Sequence, residues 1–245
     1  MSAVLGHTGA MRVLAIVHEA DAGPGVFAEA VAERGDTLDE WLLPTSPEPP
    51  GDPASYDAVM TFGGSMHGDQ EAAHPWLAAE KELLGELVEA EVPLLGVCLG
   101  SQLLAEAAGA PVERAPEPEI GWFEVEVSDA GRADPLLGAM APAFTAFQWH
   151  SYRSPLPAGA IALARSPAGL QAYRIGDHAW GIQFHAEVSE PDALAWTAGY
   201  GNDPDAVRTG IDPKRMAASI RQRMPAWNRT GRALCTRFLA AAANR

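Results

Sequence analysis

Cys98 has the residue type and the local context that nucleophilic catalysis requires. It lies in the stretch GVCLGSQ, with one glycine two residues before it and another two residues after it. A nucleophile between such glycines sits on a tight turn from a strand into a helix, because glycine lacks the Cβ atom that would collide there. The amino end of a helix also favours a thiolate over a thiol. The sequence therefore predicts a reactive thiolate, with a buried apolar filler as the alternative.

The stretch GIQFHAEVS supplies a base for this thiol and a carboxylate to orient the base. Strand periodicity predicts that His185 and Glu187 lie on the same face, so that the carboxylate hydrogen-bonds one imidazole nitrogen. The other nitrogen is then available to take the proton of the thiol. These patterns predict a triad of Cys98, His185 and Glu187 in that chain order.

Acyl transfer also needs donors for the oxyanion that forms when a thiolate attacks a carbonyl group. The stretch FGGSMHGD follows a predicted strand and offers unobstructed backbone N–H groups at Gly63 and Gly64. Leu99, at the start of the predicted helix, offers another donor. An ordinary turn is the alternative for the two glycines. A phosphate loop is excluded because the lysine of G-x-x-x-x-G-K-[ST] is missing.

Strands that alternate with helices in the first half of the chain must position these groups. The pattern predicts strands in MRVLAIVHE, residues 37–43 and YDAVMTFGG, and helices over residues 26–34 and in HPWLAAEKELLGELVEAEV. Such repeats are typical of a parallel sheet with helices on both faces, and ligands bind at the carboxyl edge of such a sheet. Val17, Phe62 and Val97 are therefore expected at one edge.

Short, closely spaced apolar runs in the second half predict an antiparallel or mixed extension of the sheet. These runs are IGWFEVEVS, AFTAFQWHS, AIALARS, LQAYRIG and HAWGIQFH, and RIGDHAW is typical of a hairpin turn. Helices are predicted over roughly residues 190–198, 213–224 and 226–242. The expected fold is a single α/β domain over residues 1–245, with a flavodoxin-like open sheet that is mainly parallel.

Charge and apolar content restrict the classes of partner. The 245 residues carry 32 acidic and 17 basic side chains, a formal net charge of −15, which argues against a nucleic-acid partner. Residues 205–245 nevertheless hold nine Lys and Arg against two acids. We expect residues 201–245 to form a basic helical tail packed on the acidic body, with a partner interface as the alternative. No apolar run approaches the roughly 18 to 20 residues of a membrane span.

The first residues and the second cysteine carry fewer signals. Residues 1–10 lack the basic start and apolar region of a secretory signal, so we read them as a ragged extension and expect a cytoplasmic protein. Cys98 and Cys235 stand far apart without metal-ligand spacing, so neither a disulfide nor a metal site is expected. Cys235, on an amphipathic helical stretch, is expected to fill the core.

Taken together, the two motifs around Cys98 and His185 resemble the class I glutamine amidotransferase family. The flanking stretches HPWLAAEKELL and EIGWFEVEV are similar to the free-standing, GMP-synthase-like members, and the resemblance covers about residues 11–189. It implies that Cys98 attacks glutamine, that His185 moves protons and that Glu187 orients His185. It also implies that Gln102, one helical turn after the nucleophile, helps to hold the bound glutamine. No cofactor is implied.

The resemblance leaves two points open. Many members have Gly-Gly-Pro where this chain has GGSM, so a more mobile loop is expected, and whether Gly63 or Gly64 donates to the oxyanion is unresolved. The stretch FQWHSY is similar to a His-Trp-His segment near the site of the family. It makes His150 and Trp149 candidates for contact with substrate, with a hydrogen-bonded structural role as the alternative for His150.

Three functions follow from this resemblance. The first is release of ammonia and glutamate from glutamine through a cysteine thioester. Because the 245 residues show no nucleotide motif and leave no room for an ATP-dependent synthetase, we expect the ammonia to pass to a separate acceptor subunit or the protein to be a simple hydrolase. The second is a γ-glutamyl peptidase that uses the same triad on a γ-glutamyl conjugate. The third is a catalytically silent binding or regulatory module, which the intact triad and Gln102 argue against.

Overall fold

Nine strands form one mixed sheet in the structure, a computed structural model that describes residues 9–245. They are β1 (Arg12–Val17), β2 (Thr37–Leu42), β3 (Ala58–Thr61), β4 (Leu94–Val97), β5 (Glu113–Val127), β6 (Ala143–Arg153), β7 (Ile161–Ser166), β8 (Gly169–Ile175) and β9 (Ala179–Ile182). Over the same residues the α-helices are α1 (Val26–Glu33), α2 (Trp76–Glu89), α3 (Leu99–Ala107), α4 (Asp129–Ala133), α5 (Glu190–Gly199), α6 (Pro204–Thr209) and α7 (Pro213–Ala243). Short 3₁₀ turns occupy Pro53–Ser55, Gly138–Met140 and Tyr200–Asn202.

The strand order confirms the predicted fold class. The sheet runs β2-β1-β3-β4-β9-β8-β7-β5-β6. The first five strands in this order are parallel to one another, as in a flavodoxin-like core. The remaining four strands extend the sheet by antiparallel pairing, and β8 and β9 form the predicted hairpin.

The carboxyl ends of the central strands meet at one edge, as the pattern predicts. In the parallel register, Ile16 pairs with Thr61 and Thr61 pairs with Gly96, so β1, β3 and β4 end side by side. The residues of β3 and β4 are all buried, which explains why these strands are continuous apolar runs rather than alternating ones. This edge is where the candidate catalytic residues lie.

Helices cover the parallel part of the sheet on both faces. On one face, α1 and α7 bury side chains such as Phe27 and Phe238 in one apolar cluster. On the other face, α2 and α3 bury Leu84 and Leu103 in a second cluster. No helix within residues 9–245 is long and apolar enough to cross a membrane.

The prediction of two helices on either side of Pro225 is wrong. A single helix, α7, runs through the proline. Proline costs about 3 kcal/mol inside a helix because it lacks an N–H and its ring collides with the preceding turn. Here the ring is exposed, while Ile220, Met224 and Trp227 bury a continuous face across it. Tertiary packing of that face therefore outweighs the local cost. The short helices α4 and α6 were not predicted.

The basic C-terminal segment packs on the rest of the chain through α7. This helix contacts α1 and α5. Arg232 lies 3.0 Å from Glu29, and Arg245 lies 2.8 Å from Glu91. Of the ragged extension predicted over residues 1–10, residues 1–8 lie outside the described residues.

Candidate active site

Cys98 occupies a strained turn between β4 and α3. Its φ of 51° lies in the left-handed region, where a residue with a side chain is rare. A Cβ on Gly96 would lie 2.7 Å from the carbonyl carbon of Gly100, and a Cβ on Gly100 would lie 2.3 Å from the carbonyl oxygen of Thr61. Both glycines are therefore required for strand and helix to pass this closely. The turn places the thiol at the carboxyl edge of the sheet.

The thiol of Cys98 borders a cleft of about 500 Å³. The residue is only 6% exposed, yet it lines the cleft together with His185 and Leu99. Its Sγ atom lies 3.9 Å from the carbonyl oxygen of Trp149 on β6. The sulfur is thus within reach of a small molecule in the cleft while being shielded from bulk water.

His185 and Glu187 contact each other, but not on a strand. The chain leaves the sheet after Ile182, and both residues lie in an irregular segment beyond β9, which corrects the strand predicted from periodicity. Nδ1 of His185 lies 2.7 Å from Oε1 of Glu187, and both side chains are almost fully buried. This contact leaves Nε2 for the thiol. The N–H of His185 donates to the carbonyl oxygen of Phe147, which anchors the segment to β6.

The electrostatics of His185 favour its protonated form. Burial alone would lower the pKa of His185, but the charges of Glu187 and Cys98 and hydrogen bonds to both groups raise it well above its ordinary value. An imidazolium next to a sulfur stabilises a thiolate. The arrangement can therefore hold a thiolate–imidazolium pair with a carboxylate behind it.

Helix α7 holds the segment that carries His185 and Glu187. Nε1 of Trp227 donates to the carbonyl oxygen of His185 at 2.7 Å, and Nδ2 of Asn228 donates to that of Val188 at 2.7 Å. A Cβ on Gly231 would lie 1.9 Å from the carbonyl oxygen of Ala186, so the helix backbone touches this segment directly. Sequence patterns did not predict this role for α7. The feature of the sequence that indicates such a close contact is Gly231, a glycine inside an otherwise helical pattern.

The three predicted oxyanion donors lie beside the thiol. A Cβ on Gly63 would lie 3.8 Å from Cβ of Cys98 and 3.1 Å from Cε1 of His185, and a Cβ on Gly64 would lie 3.2 Å from Cδ2 of Leu99. Within residues 9–245, the N–H groups of Gly63, Gly64 and Leu99 donate to no protein acceptor. Gly64 and Leu99 line the cleft.

The three candidate substrate-binding residues all line the cleft, in different ways. Nε2 of Gln102 donates to Oε1 of Gln183 at 3.1 Å, so its amide is held in place. Nε1 of Trp149 donates to Asp203 at 2.9 Å. The ring nitrogens of His150 lie 2.9 Å from the carbonyl oxygen of Tyr152 and 3.1 Å from Oε2 of Glu119. Both nitrogens of His150 are therefore engaged by protein acceptors.

The rest of the cleft wall combines aromatic rings with acidic side chains. The aromatic residues are Trp149, Tyr152, Trp196 and Tyr200, and the acidic residues are Glu19, Asp21, Asp203 and Asp205. Arg114 pairs with Asp205 at 2.6 Å at this wall. Over residues 9–245, no group of three or more His, Cys, Asp or Glu is arranged to hold a metal ion.

Cys235 lies away from the cleft, in the core beneath α1. It has no exposed surface, and its thiol contacts the carbonyl oxygen of Phe27. Burial raises the pKa of Cys235 to about 12. The residue fills the core, as its amphipathic context predicts.

Comparison with known proteins shows a family and several relatives that this chain is similar to. Residues 37–193 match the family described as glutamine amidotransferase class-I. The chain is 30% identical to the glutamine amidotransferase-like protein YfeJ of Salmonella typhimurium, covering 89% of this chain and 91% of that protein. It is 33% identical to a glutamine-hydrolysing GMP synthase subunit of Sulfurisphaera tokodaii over 56% of this chain and 70% of that protein.

Two further relatives concern substrate and fold. A γ-glutamyl-L-1-hydroxyisopropylamide hydrolase of a Pseudomonas species is 28% identical over 55% of this chain and 48% of that protein. The crystal structure of a glutamine amidotransferase from Thermotoga maritima superposes with a TM-score of 0.85 at 29% identity, covering 94% of this chain and 99% of that one. With its domain match, its relatives and its fold in agreement, the chain belongs to the class I glutamine amidotransferase family.

Proposed function

We propose that this protein hydrolyses the side-chain amide of glutamine, or of a γ-glutamyl compound, through a thioester on Cys98. The observation that carries the proposal is the arrangement of Cys98, His185 and Glu187 at the cleft wall. Cys98 and His185 line the same cleft, and a Cβ on Gly63 would lie within 4 Å of both side chains. Nδ1 of His185 lies 2.7 Å from the Glu187 carboxylate, which leaves Nε2 for the thiol. Nucleophile, base and orienting carboxylate in this order are the requirement for acyl transfer by a thiol.

The reaction proceeds in two steps. The Cys98 thiolate adds to the γ-carbonyl carbon, and the resulting oxyanion accepts hydrogen bonds from the N–H groups of Gly64 and Leu99. The C–N bond breaks as His185 gives its proton to the departing amine, which leaves a γ-glutamyl thioester. His185 then takes a proton from water, whose oxygen attacks the thioester, and glutamate and the thiolate are released.

The residues around the thiol account for binding of the glutamyl part. The amide oxygen of Gln102 accepts no hydrogen bond from the described residues, so it can accept one from the ammonium group of a glutamyl substrate. Trp149 also lines the cleft wall, where its ring packs against that of Trp196. Because both ring nitrogens of His150 are engaged, His150 shapes the wall rather than donating to the substrate.

The experiment that tests the proposal compares Cys98→Ala with the unchanged protein. Ammonia release from glutamine is expected to disappear in the variant, while the urea unfolding midpoint should change no more than for a surface substitution, because the small side chain fits the same turn. A variant that keeps glutaminase activity would refute the proposal. Protein that is inactive on every γ-glutamyl compound before substitution would favour the silent binding module.

A γ-glutamyl conjugate is a second candidate substrate, and the size of the cleft favours it. A volume of about 500 Å³ falls in the range of pockets for drug-sized ligands and exceeds the needs of one glutamine. The aromatic residues Tyr152, Trp196 and Tyr200 can cover an apolar amine portion. Comparing kcat/KM for glutamine with that for γ-glutamyl anilides and γ-glutamyl alkylamides separates the candidates.

The fate of the ammonia divides glutamine-dependent enzymes from simple hydrolases. The relative from Sulfurisphaera tokodaii is by its name one subunit of a GMP synthase. If glutamine is the substrate, a separate acceptor protein is expected at the cleft mouth. Glutaminase activity that rises when a synthetase partner is added would support this assignment, and activity that is complete without any partner would support the hydrolase.

A further inference from the structure

A fully buried ion pair lies behind the glycine loop and takes no part in the reaction steps above. His18 follows β1, Glu80 belongs to α2, and both side chains have no exposed surface. Nε2 of His18 lies 2.8 Å from Oε2 of Glu80, and Thr61 donates to Oε1 of Glu80 at 2.6 Å. Burying two such groups costs free energy unless each finds partners. The pair therefore requires an explanation beyond packing.

The surroundings of His18 fix its protons. Nδ1 lies 3.1 Å from the carbonyl oxygen of Gly63, which can only accept, so Nδ1 carries a hydrogen and donates it. Burial lowers the pKa of His18, but the charge of Glu80 and hydrogen bonds to Glu80 and Gly63 more than offset that effect and raise it. Nδ1 of His18 therefore donates to the Gly63 carbonyl oxygen, and the raised pKa of His18 favours the charged form, in which Nε2 donates to Glu80.

The bond from His18 sets the direction of the peptide group between Gly63 and Gly64. A trans peptide is planar, and its N–H points opposite to its carbonyl group. With the Gly63 carbonyl held toward His18, the N–H of Gly64 points away from His18. The hydrogen bond from His18 to this carbonyl also polarises the peptide, which makes its N–H a stronger donor.

The next residue along the chain, Glu19, holds the other side of Gly64. Its carboxylate accepts from the backbone N–H of Ser65 at 2.9 Å and from the Ser65 hydroxyl. A Cβ on Gly64 would lie 3.2 Å from Cβ of His18 and 3.2 Å from Cδ2 of Leu99, so Gly64 is confined between these residues. The peptides on both sides of Gly64 are therefore each held by a hydrogen bond from or to a residue that follows β1.

We propose that His18 and Glu19 are positioning residues that clamp the glycine loop, so that the N–H of Gly64 and that of Leu99 meet the oxyanion together. Glu80 and Thr61 fix the orientation of His18. This inference rests on the proposed function and deepens it, because it explains how the peptide that carries the N–H of Gly64 is held in place. It also assigns a positioning role to two consecutive residues after β1, His18 and Glu19.

The test uses two double variants that differ in one donor. In His18→Leu/Glu80→Leu the buried pair is replaced by apolar side chains, which avoids leaving an unpaired carboxylate. In His18→Asn/Glu80→Leu an amide nitrogen remains near the position of Nδ1. We expect the first variant to lose about 100-fold in kcat, the effect of losing an oxyanion donor, with KM unchanged. The second variant should recover about tenfold of that loss.

Alkylation of Cys98 by iodoacetamide separates positioning from general damage, because this reaction has no oxyanion to stabilise. Its rate should match the unchanged protein in both double variants. His178→Leu is the matched control, because His178 also bonds a carbonyl oxygen, that of Val88, far from the cleft. It should keep full activity. Glu19→Ala, at a half-buried position, should lose kcat in the same way, and Glu19→Gln should restore it.

The outcomes distinguish this inference from the proposed function. Unchanged protein that hydrolyses no γ-glutamyl compound refutes the proposed function. Active protein whose kcat is unaffected by both His18→Leu/Glu80→Leu and Glu19→Ala refutes the clamp. The clamp is also refuted if kcat and the rate of Cys98 alkylation fall together in His18→Leu/Glu80→Leu and in Glu19→Ala, because that result indicates a damaged site rather than a lost oxyanion donor.

Discussion

Gly231 is the position where α7 touches the segment that carries His185 and Glu187, and Gly231→Ala tests that contact. The added Cβ would lie 1.9 Å from the carbonyl oxygen of Ala186 and 3.2 Å from Cγ2 of Val26. Real Cβ atoms stay beyond 3.0 Å, so helix and segment must separate by about 1 Å. The contact is backbone against backbone, and no flexible side chain can yield in its place.

The size of the effect follows from what the separation disturbs. Overpacking in a core costs about 1 to 3 kcal/mol. The hydrogen bonds from Trp227 to His185 and from Asn228 to Val188 lengthen, and each is worth about 1 kcal/mol. We therefore expect a loss of about 2 to 5 kcal/mol in the free energy of unfolding. A displacement of about 1 Å at His185 should lower kcat/KM by about 100-fold.

Urea unfolding and γ-glutamyl hydrolysis measure the two effects separately. Gly85→Ala is the matched control, because Gly85 lies inside α2 with no atom near its added Cβ. That substitution should raise the free energy of unfolding by about 0.5 to 1 kcal/mol and leave activity unchanged. If Gly231→Ala keeps both the stability and the activity of the unchanged protein, α7 does not position the catalytic segment.

Three further predictions concern the titrating groups. Iodoacetamide should modify Cys98 and leave Cys235 unmodified in the folded protein, because burial raises the pKa of Cys235 to about 12. Peptide mass spectrometry identifies the modified cysteine. Early labelling of Cys235 would contradict its assignment as a core residue. Burial lowers the pKa of His185, but the charges of Glu187 and Cys98 raise it above its ordinary value. Glu187→Gln removes one of these charges, so kcat should fall about 10³- to 10⁴-fold. The alkaline limb of the pH–rate profile should also move to lower pH. A limb that stays in place would contradict this. Burial lowers the pKa of His18, but Glu80 raises it above 6.5, so their pair stabilises the fold fully below about pH 6.5 and loses that contribution as the pH rises through the raised pKa. Urea unfolding at several pH values should therefore show a smaller decline in the free energy of unfolding with rising pH in His18→Leu/Glu80→Leu than in the unchanged protein. An equal decline would contradict the pairing.

Local rules were sufficient to predict the fold class and the surroundings of Cys98. Gly96 and Gly100 follow from the steric needs of one turn, which a seven-residue stretch already contains. The meeting of β1, β3 and β4 at one edge follows from parallel pairing, which alternating strands and helices imply. These features depend on residues close together in the sequence or on a general rule of topology.

The support of the site depends on contacts between distant parts of the chain, which no local pattern contains. Trp227 bonds to a residue 42 positions earlier, and His18 bonds to Glu80, which lies 62 positions later. The contact between His185 and Glu187 was predicted from strand periodicity, yet the segment is irregular and is held by α7 and β6. Pro225 predicted a helix end because its local cost is known, whereas the buried face that opposes this cost appears only in the folded chain.

The central claim is that Cys98 carries the γ-glutamyl group during turnover. The most direct measurement is rapid acid quenching of the protein during hydrolysis of a γ-glutamyl anilide, whose good leaving group makes formation of the thioester fast, followed by peptide mass spectrometry. We predict a peptide that contains Cys98 with the mass of one added γ-glutamyl group, and no such peptide from Cys98→Ala. Turnover with this group on another residue, or undiminished turnover by Cys98→Ala, would contradict the account.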